Sequence, residues 1–207
     1  MGKNKVVLIT GASSGLGKAA AQYLHDKDYI VYGTSRTPQK YDVSFNLIKM
    51  DITKDSSVES GIKKILNKEE KIDILVNNAG YGLVGAVEDT PLEIAQQQFE
   101  TNYFGTLRVI KQVLSHMRGL DNGKIINVCS IIGRIGFPFF GQYSASKFAL
   151  EGLTEALRLE LKPFNVDITA VDPGVFNTNF VQNRQTINKS KNSIYSNYFK
   201  KYALCFW

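Results

Sequence analysis

The sequence predicts an α/β fold: a single doubly wound parallel sheet with helices packed on both faces. Three observations carry that prediction. Apolar runs of strand length alternate with amphipathic helical stretches from Val6 to Val171. The runs are continuous rather than alternating, as expected of strands covered on both faces. Glycine-rich and polar turns follow the carboxyl ends of the strands, the edge at which open α/β sheets hold ligands. A chain of 207 residues, 43% hydrophobic and 21% charged, is long enough to bury a core as one domain.

Lys5–Thr10 is the first strand, and it opens directly into Gly11-Ala12-Ser13-Ser14-Gly15-Leu16-Gly17 before a helix over Lys18–Lys27. Strand, glycine turn and helix start together cradle a diphosphate, because the turn brings backbone close and the helix end supplies unpaired N–H groups. A P-loop is excluded: it needs glycine at position 12 and serine or threonine at 19, and both are alanine. The second strand, Ile30–Thr34, runs into Ser35-Arg36. An acid at this point would hold adenosine ribose hydroxyls, whereas arginine accommodates a 2′-phosphate. Positions 33 to 37 contain Arg36 and no acid, so NADP(H) is expected over NAD(H). Ser13 or Ser14 could add a phosphate contact.

Thr37–Ser44 is short for a parallel crossover, which predicts either one irregular turn before a third strand at Phe45–Met50 or shifted strand limits. Asp51-Ile52 closes that strand and is placed over the adenine edge. Asp55–Lys71 is a charged amphipathic helix with Val58, Ile62, Ile65 and Leu66 as its stripe, weakened by Gly61. The fourth strand, Ile72–Asn77, ends in Asn77-Asn78-Ala79-Gly80, residues suited to close backbone approach to a ligand. Thr90 is the expected N-cap of a long helix from Pro91 to about Arg118, with Asn102, a poor helix former, in its middle.

Lys124–Cys129 is the fifth strand and places Ser130 at its carboxyl end. An aromatic loop, Gly136–Gly141, leads to a helix over Gln142–Leu161, in which Phe148, Leu150, Leu153, Leu157 and Leu161 recur at threes and fours. Tyr143 and Lys147 are i and i+4 on it and share a face. A phenol ionises near pH 10, and an ammonium one turn away is expected to lower that value toward acid/base use. Ser130 would hold a substrate oxygen beside the phenol. Lys162-Pro163 ends the helix, Val166–Val171 is the sixth strand, and Asp172–Thr178 turns at the same edge.

The net charge of +6 comes from scattered lysines, which excludes a dedicated nucleic-acid face and suits an anionic ligand. Cys129, Cys205, His25 and His116 have no metal-ligand spacing, so no metal is expected. Signal-peptide, myristoylation, prenylation and membrane-span patterns are not found, and a soluble cytoplasmic protein is expected.

The ordered set Thr10-Gly11-Ala12-Ser13-Ser14-Gly15-Leu16-Gly17, Asp51, Asn77-Asn78-Ala79-Gly80, Asn102, Ser130, Tyr143-x-x-x-Lys147 and Pro173-Gly174 resembles the short-chain dehydrogenase/reductase family over Lys5 to about Thr178. Thr34-Ser35-Arg36 and the run Ser146–Gly152 look most like its NADP-dependent hydroxysteroid and retinol dehydrogenase branch. The resemblance implies a Rossmann-like sheet of order 3-2-1-4-5-6, with residues 1–178 forming the dinucleotide-binding and catalytic part and 179–207 a shortened substrate lobe. It implies Tyr143 as acid and base, Lys147 on the nicotinamide ribose and beside the phenol, Ser130 on the substrate oxygen, and Asn102 positioning a water. Gly11, Ser13, Ser14, Gly15, Leu16, Gly17, Arg36, Asp51, Ile52, Asn78, Ala79, Gly80, Pro173, Gly174, Val175 and Thr178 would bind the cofactor.

The family continues with a further helix and a seventh strand. Here Gln182–Asn197 is polar and reads as a mobile segment, and Tyr202–Trp207 is abruptly apolar, so that strand is expected to be missing or replaced. Two function classes follow. The first is an NADP(H)-dependent oxidoreductase for apolar ketones, aldehydes and alcohols, with Ile131, Ile132, Phe137, Phe139, Phe140, Val84 and Phe176 as candidate pocket residues. A 3-ketoacyl-carrier-protein reductase is the alternative within that class. The second is a dinucleotide-binding sensor or inactive relic. A homodimer through the helices beginning at Pro91 and Gln142 is implied by the resemblance.

Overall fold

The computed structural model describes residues 4–174, 176, 180, 182–187 and 193–202. Six parallel strands form the main sheet: β1 (Val6–Ile9), β2 (Ile30–Ser35), β3 (Asn46–Lys49), β4 (Ile74–Asn77), β6 (Gly123–Val128) and β7 (Val166–Val171). Two further strands, β5 (Leu83–Val84) and β8 (Gln185–Thr186), pair with each other outside it. The main order is β3-β2-β1-β4-β6-β7, which is the expected 3-2-1-4-5-6 once β5 is set aside.

All four residues of β1 are 0% exposed, which explains its unbroken apolar sequence. Val6 and Leu8 enter the core on one face with Ile65, Val109, Val113 and Met117, while Val7 and Ile9 pack on the other with Ala21 and Val31. Helix α1 (Gly15–His25) lies on the second face; α2 (Asp55–Glu69) and α4 (Thr106–Gly119) lie on the first. Truncation of Leu8 to Ala should therefore cost about 2–5 kcal/mol, read as a lower denaturant midpoint with an unchanged slope.

The structure refines several sequence readings. The crossover after β2 is a single 3₁₀ turn, Pro38–Lys40, and β3 is shorter than Phe45–Met50. Gly61 does not merely weaken α2: a Cβ there would lie 2.4 Å from the Met50 Cε, so its absence lets the helix sit on that side chain. Thr90 is not an N-cap, because its hydroxyl donates to Ala86 O at 2.8 Å and α3 (Leu92–Phe99) starts after Pro91 without a side-chain cap. The single long helix expected here contains a π-helical turn, Glu100–Gly105, between α3 and α4. Such a turn inserts an extra residue and is frequent at functional sites; here it buries Asn102 to 1% exposure.

Helix α5 (Gly141–Glu160) crosses the first face beside β7. Phe139, just before it, has φ +66°, a strained conformation for a bulky side chain. It is held by Gly85 N–H, which donates to Phe139 O at 2.8 Å, and by an edge-on contact with Phe199 of α6 (Ser196–Tyr202). Among the described residues, none pairs with the outer edge of β7. Within Gln182–Asn197, read as mobile, Gln185–Thr186 instead forms β8. Tyr202 ends a helix, and 203–207 lie outside the described residues.

Candidate active site

The site lies across the carboxyl edge of the sheet, and its geometry begins at the glycine turn. Gly11 and Gly15 have φ of +66° and +55°, values that side-chain-bearing residues rarely adopt. Gly17 is needed for closeness: a Cβ there would lie 2.3 Å from Asn78 Nδ2 and 2.5 Å from Gly11 O. That amide donates to Thr10 O and Gly11 O, both at 3.0 Å, while the Thr10 hydroxyl accepts from Asn78 and Ala79 N–H at 3.0 Å each. Asn78 therefore ties the turn to β4 through its side chain. The first turn of α1 carries no acid, and no side chain caps it, so its N–H groups and positive dipole end suit a phosphate.

A cavity of about 860 Å³ runs along this edge. Gly11, Ser13, Ser14, Gly15, Leu16, Arg36, Asp51, Ile52, Asn78, Ala79, Gly80, Ser130, Tyr143, Lys147, Pro173 and Gly174 all line it. Of the sixteen candidate cofactor residues named besides Tyr143 and Lys147, Gly17 is not on its wall, being packed beneath Asn78. Val175 and Thr178 lie outside the described residues. Asn102 is buried behind the wall rather than on it.

Arg36 is exposed on the wall of the cavity, which Asp51 also lines. Burial pushes the Asp51 carboxyl up, but hydrogen bonds from Thr53 N–H and hydroxyl, at 3.0 and 2.8 Å, and the charges of Arg36 and Lys54 outweigh it. Its net pKa is below the ordinary value, so Asp51 is ionised at neutral pH.

Ser130, Tyr143 and Lys147 line the same cavity, as do Phe176 and Phe180. The Tyr143 ring lies 5.9 Å from the ring of Phe180. The expected lowering of the phenol by Lys147 is not what the geometry gives. Burial pushes Tyr143 up to about 12, a hydrogen bond with Ser130 pulls it partly back, and the neighbouring Cys129 adds to the rise. Lys147 instead points its ammonium at Val128 O, 2.7 Å away, and burial lowers its own pKa. The reason is geometric: shared helix face does not make the two polar ends touch.

Asn102 is held by its side chain. Its Nδ2 donates to Tyr81 O and to the Ser146 hydroxyl, both at 3.1 Å, and its Oδ1 accepts from Tyr81 N–H at 3.1 Å. Ser146 in turn donates to Tyr143 O at 2.7 Å. The side chain thus joins the π-helical turn to α5. Among the apolar candidates, Val84 and Phe140 are fully buried core residues packed on Tyr143, and Phe176 reaches the cavity. Sequence reasoning missed Thr10, Ser146, Phe180 and the chain Asn77–Asn127–Thr154, whose amide and hydroxyl groups link β4, β6 and α5 at 2.9 and 2.8 Å. No local spacing signals such pairings, since the partners are far apart in the chain.

Fold and site together define a Rossmann-like nucleotide-binding protein. The family model for short chain dehydrogenases matches residues 5–189, and the chain belongs to that family of oxidoreductases, which use a nicotinamide dinucleotide. It is 46% identical over 180 residues to a 3-ketodihydrosphingosine reductase of Bacteroides thetaiotaomicron, covering 87% of this chain and 67% of that one. Human retinol dehydrogenase 8 is 38% identical over 190 residues, covering 85% of this chain and 60% of its own length. A solved short-chain dehydrogenase from Streptomyces avermitilis superposes with a TM-score of 0.85 at 34% identity, covering 93% and 75% of the two chains. ElxO with NADP bound gives 0.79 at 34% identity, covering 86% and 76%. Xylitol dehydrogenase with NAD+ bound gives 0.78 at 31% identity, covering 83% and 70%.

Proposed function

We propose that the chain is an NADP(H)-dependent oxidoreductase that interconverts apolar ketones or aldehydes with the corresponding alcohols. The observation that carries this reading is one cavity whose wall holds Arg36, from the end of β2, and Ser130, Tyr143 and Lys147, from the end of β6 and from α5, together with Phe176 and Phe180. The bound nicotinamide would supply or accept the hydride. The uncapped α1 start and the glycine turn fit its diphosphate, Arg36 its 2′-phosphate, and Asp51-Ile52 its adenine edge. Ser130 orients the substrate oxygen, and the Tyr143 hydroxyl gives it a proton in reduction and removes one in oxidation. The Tyr143 hydroxyl, raised to about 12 by burial, holds its proton at neutral pH and is available as the donor in reduction. Similarity to a reductase named for 3-ketodihydrosphingosine supports a reducing role.

Titration with NADPH and NADH tests the cofactor reading. NADPH should bind tighter, and Arg36→Ala should weaken NADPH about 10–100-fold, the worth of one charge-assisted contact, while changing NADH little. Equal loss for both would remove Arg36 as the phosphate contact. Binding of neither would return the protein to the inactive class.

The pH dependence has a definite sign. The folded pKa of Tyr143, about 12, exceeds the unfolded value near 10. Its contribution to stability is therefore complete below about pH 10 and is lost as pH rises through about 12. A difference titration of phenolate absorbance, native minus Tyr143→Phe, should show a group ionising near pH 12 and none below 10.

Exposed Phe104, Phe148 and Leu159 on the helical segments from Leu92 and Gly141 support a homodimer, which sedimentation would test. No described helix is long and apolar enough to cross a membrane.

A further inference from the structure

One arginine off the cavity wall joins the turn after β3, the start of α2 and the π-helical turn. Arg108 stands in the first turn of α4, and its side chain is 17% exposed. Its Nη1 donates to Ile52 O at 2.8 Å, its Nη2 to Glu100 Oε1 at 3.0 Å, and its Nε to Asp55 Oδ1. Ile52 and Glu100 line the cavity, whereas Arg108 and Asp55 do not.

The three contacts do different things. The Asp55 side chain is 85% exposed, so its ion pair contributes little beyond tying α2 to α4. The other two act on the wall. Ile52 is buried and its side chain is seated on Gly105, where a Cβ would lie 2.8 Å from Ile52 Cδ1. Arg108 satisfies the Ile52 carbonyl and so fixes the peptide that carries this side chain. Glu100 puts a carboxylate on the wall of a cavity that fits an anionic dinucleotide, and the guanidinium offsets its charge. Arginine can hold both acceptors at once because its donors form a rigid planar fork.

We propose that Arg108 is a positioning residue for the dinucleotide: it fixes the Ile52 peptide and offsets the Glu100 charge, shaping the adenosine side of the cavity without touching the ligand. This rests on the reading of Asp51-Ile52 as the adenine edge. NADPH and NADH share the adenosine, so Arg108 acts on both alike. Arg36 differs, because its proposed contact is with the 2′-phosphate alone.

The test is calorimetric titration of the full chain with NADPH and with NADH. Arg108→Met should weaken both about 10-fold, with KM for the dinucleotide rising and kcat falling less than about twofold. Adding Glu100→Gln to that variant should recover at least about threefold, because the uncompensated charge on the wall is then gone. Asp55→Asn, which removes only the tie between helices, should change either affinity by less than about twofold. Unchanged affinity in Arg108→Met overturns the proposal, as does a loss confined to NADPH. Equal loss in Asp55→Asn overturns it too, since the arginine would then be a helix tie. So does a double variant no better than Arg108→Met, which would report loosening. If Arg108→Met does not fold, Arg108→Lys decides. One ammonium cannot hold both acceptors, so both affinities should fall about threefold, and native affinity there overturns the role. A native chain that binds neither dinucleotide overturns both this role and the cofactor reading. The expected pattern in a chain without carbonyl activity would refute the proposed reaction and leave Arg108 in its role.

Discussion

Replacing Tyr143 with Phe should lower kcat for carbonyl reduction by about 10²–10⁴-fold, the usual contribution of a positioned general acid. Dinucleotide affinity should change by less than about threefold. The ring fills the same space against Val84, Phe140 and Phe180, so packing survives and only the hydroxyl and its hydrogen bond to Ser130 are lost. That bond is worth about 1 kcal/mol in stability. The separation matters: activity should fall while the melting temperature and cofactor binding stay close to native. A matching loss of NADPH binding would mean that the substitution disturbs the cavity, and the acid role would no longer follow.

Replacing Gly17 with Val should have the opposite signature, with binding lost before chemistry is reached. Even the first carbon of a side chain would sit 2.3 Å from the Asn78 amide nitrogen and 2.5 Å from the Gly11 carbonyl. Relief requires moving that amide, which holds the glycine turn through Thr10 and Gly11, or moving the turn itself. The expected loss is at least about 100-fold in dinucleotide affinity, with overpacking costing about 1–3 kcal/mol of stability. Gly152→Ala is the control. It also lies in a helix, but a Cβ there meets nothing within 4 Å, so alanine should be neutral or stabilise by up to about 1 kcal/mol. Calorimetric titration and a melting curve on the two variants would separate a crowded glycine from a merely helical one.

The parts of the site visible in the sequence were those encoded by short-range chemistry. Gly11 and Gly15 announce a turn because glycine adopts their backbone angles without steric cost. Tyr143 and Lys147 share a face because helical periodicity puts them there. What the spacing could not convey was the direction of polar ends. Lys147 bonds to Val128 O, and the phenol rises with burial instead of falling beside an ammonium. Asn102 gave a weak signal, a poor helix former within a helix, and the structure turns it into a π-helical turn braced by Tyr81 and Ser146.

By itself, the sequence determined the parallel α/β sheet, the glycine turn and the placing of Ser130, Tyr143 and Lys147 toward one edge, while the strand order came from the family resemblance. Those features follow from periodicity, backbone sterics and the rule that ligands gather at strand carboxyl ends, all of which act locally or along single elements. Tertiary structure decided the electrostatics. The packing of Cys129, Glu151 and Asp172 against one another beside Arg134, the amide chain through Asn77 and Asn127, and the placement of Phe180 against Tyr143 join residues from separate segments. Burial and the sign of nearby charge set each group's proton affinity, and both exist only after the chain has closed around it.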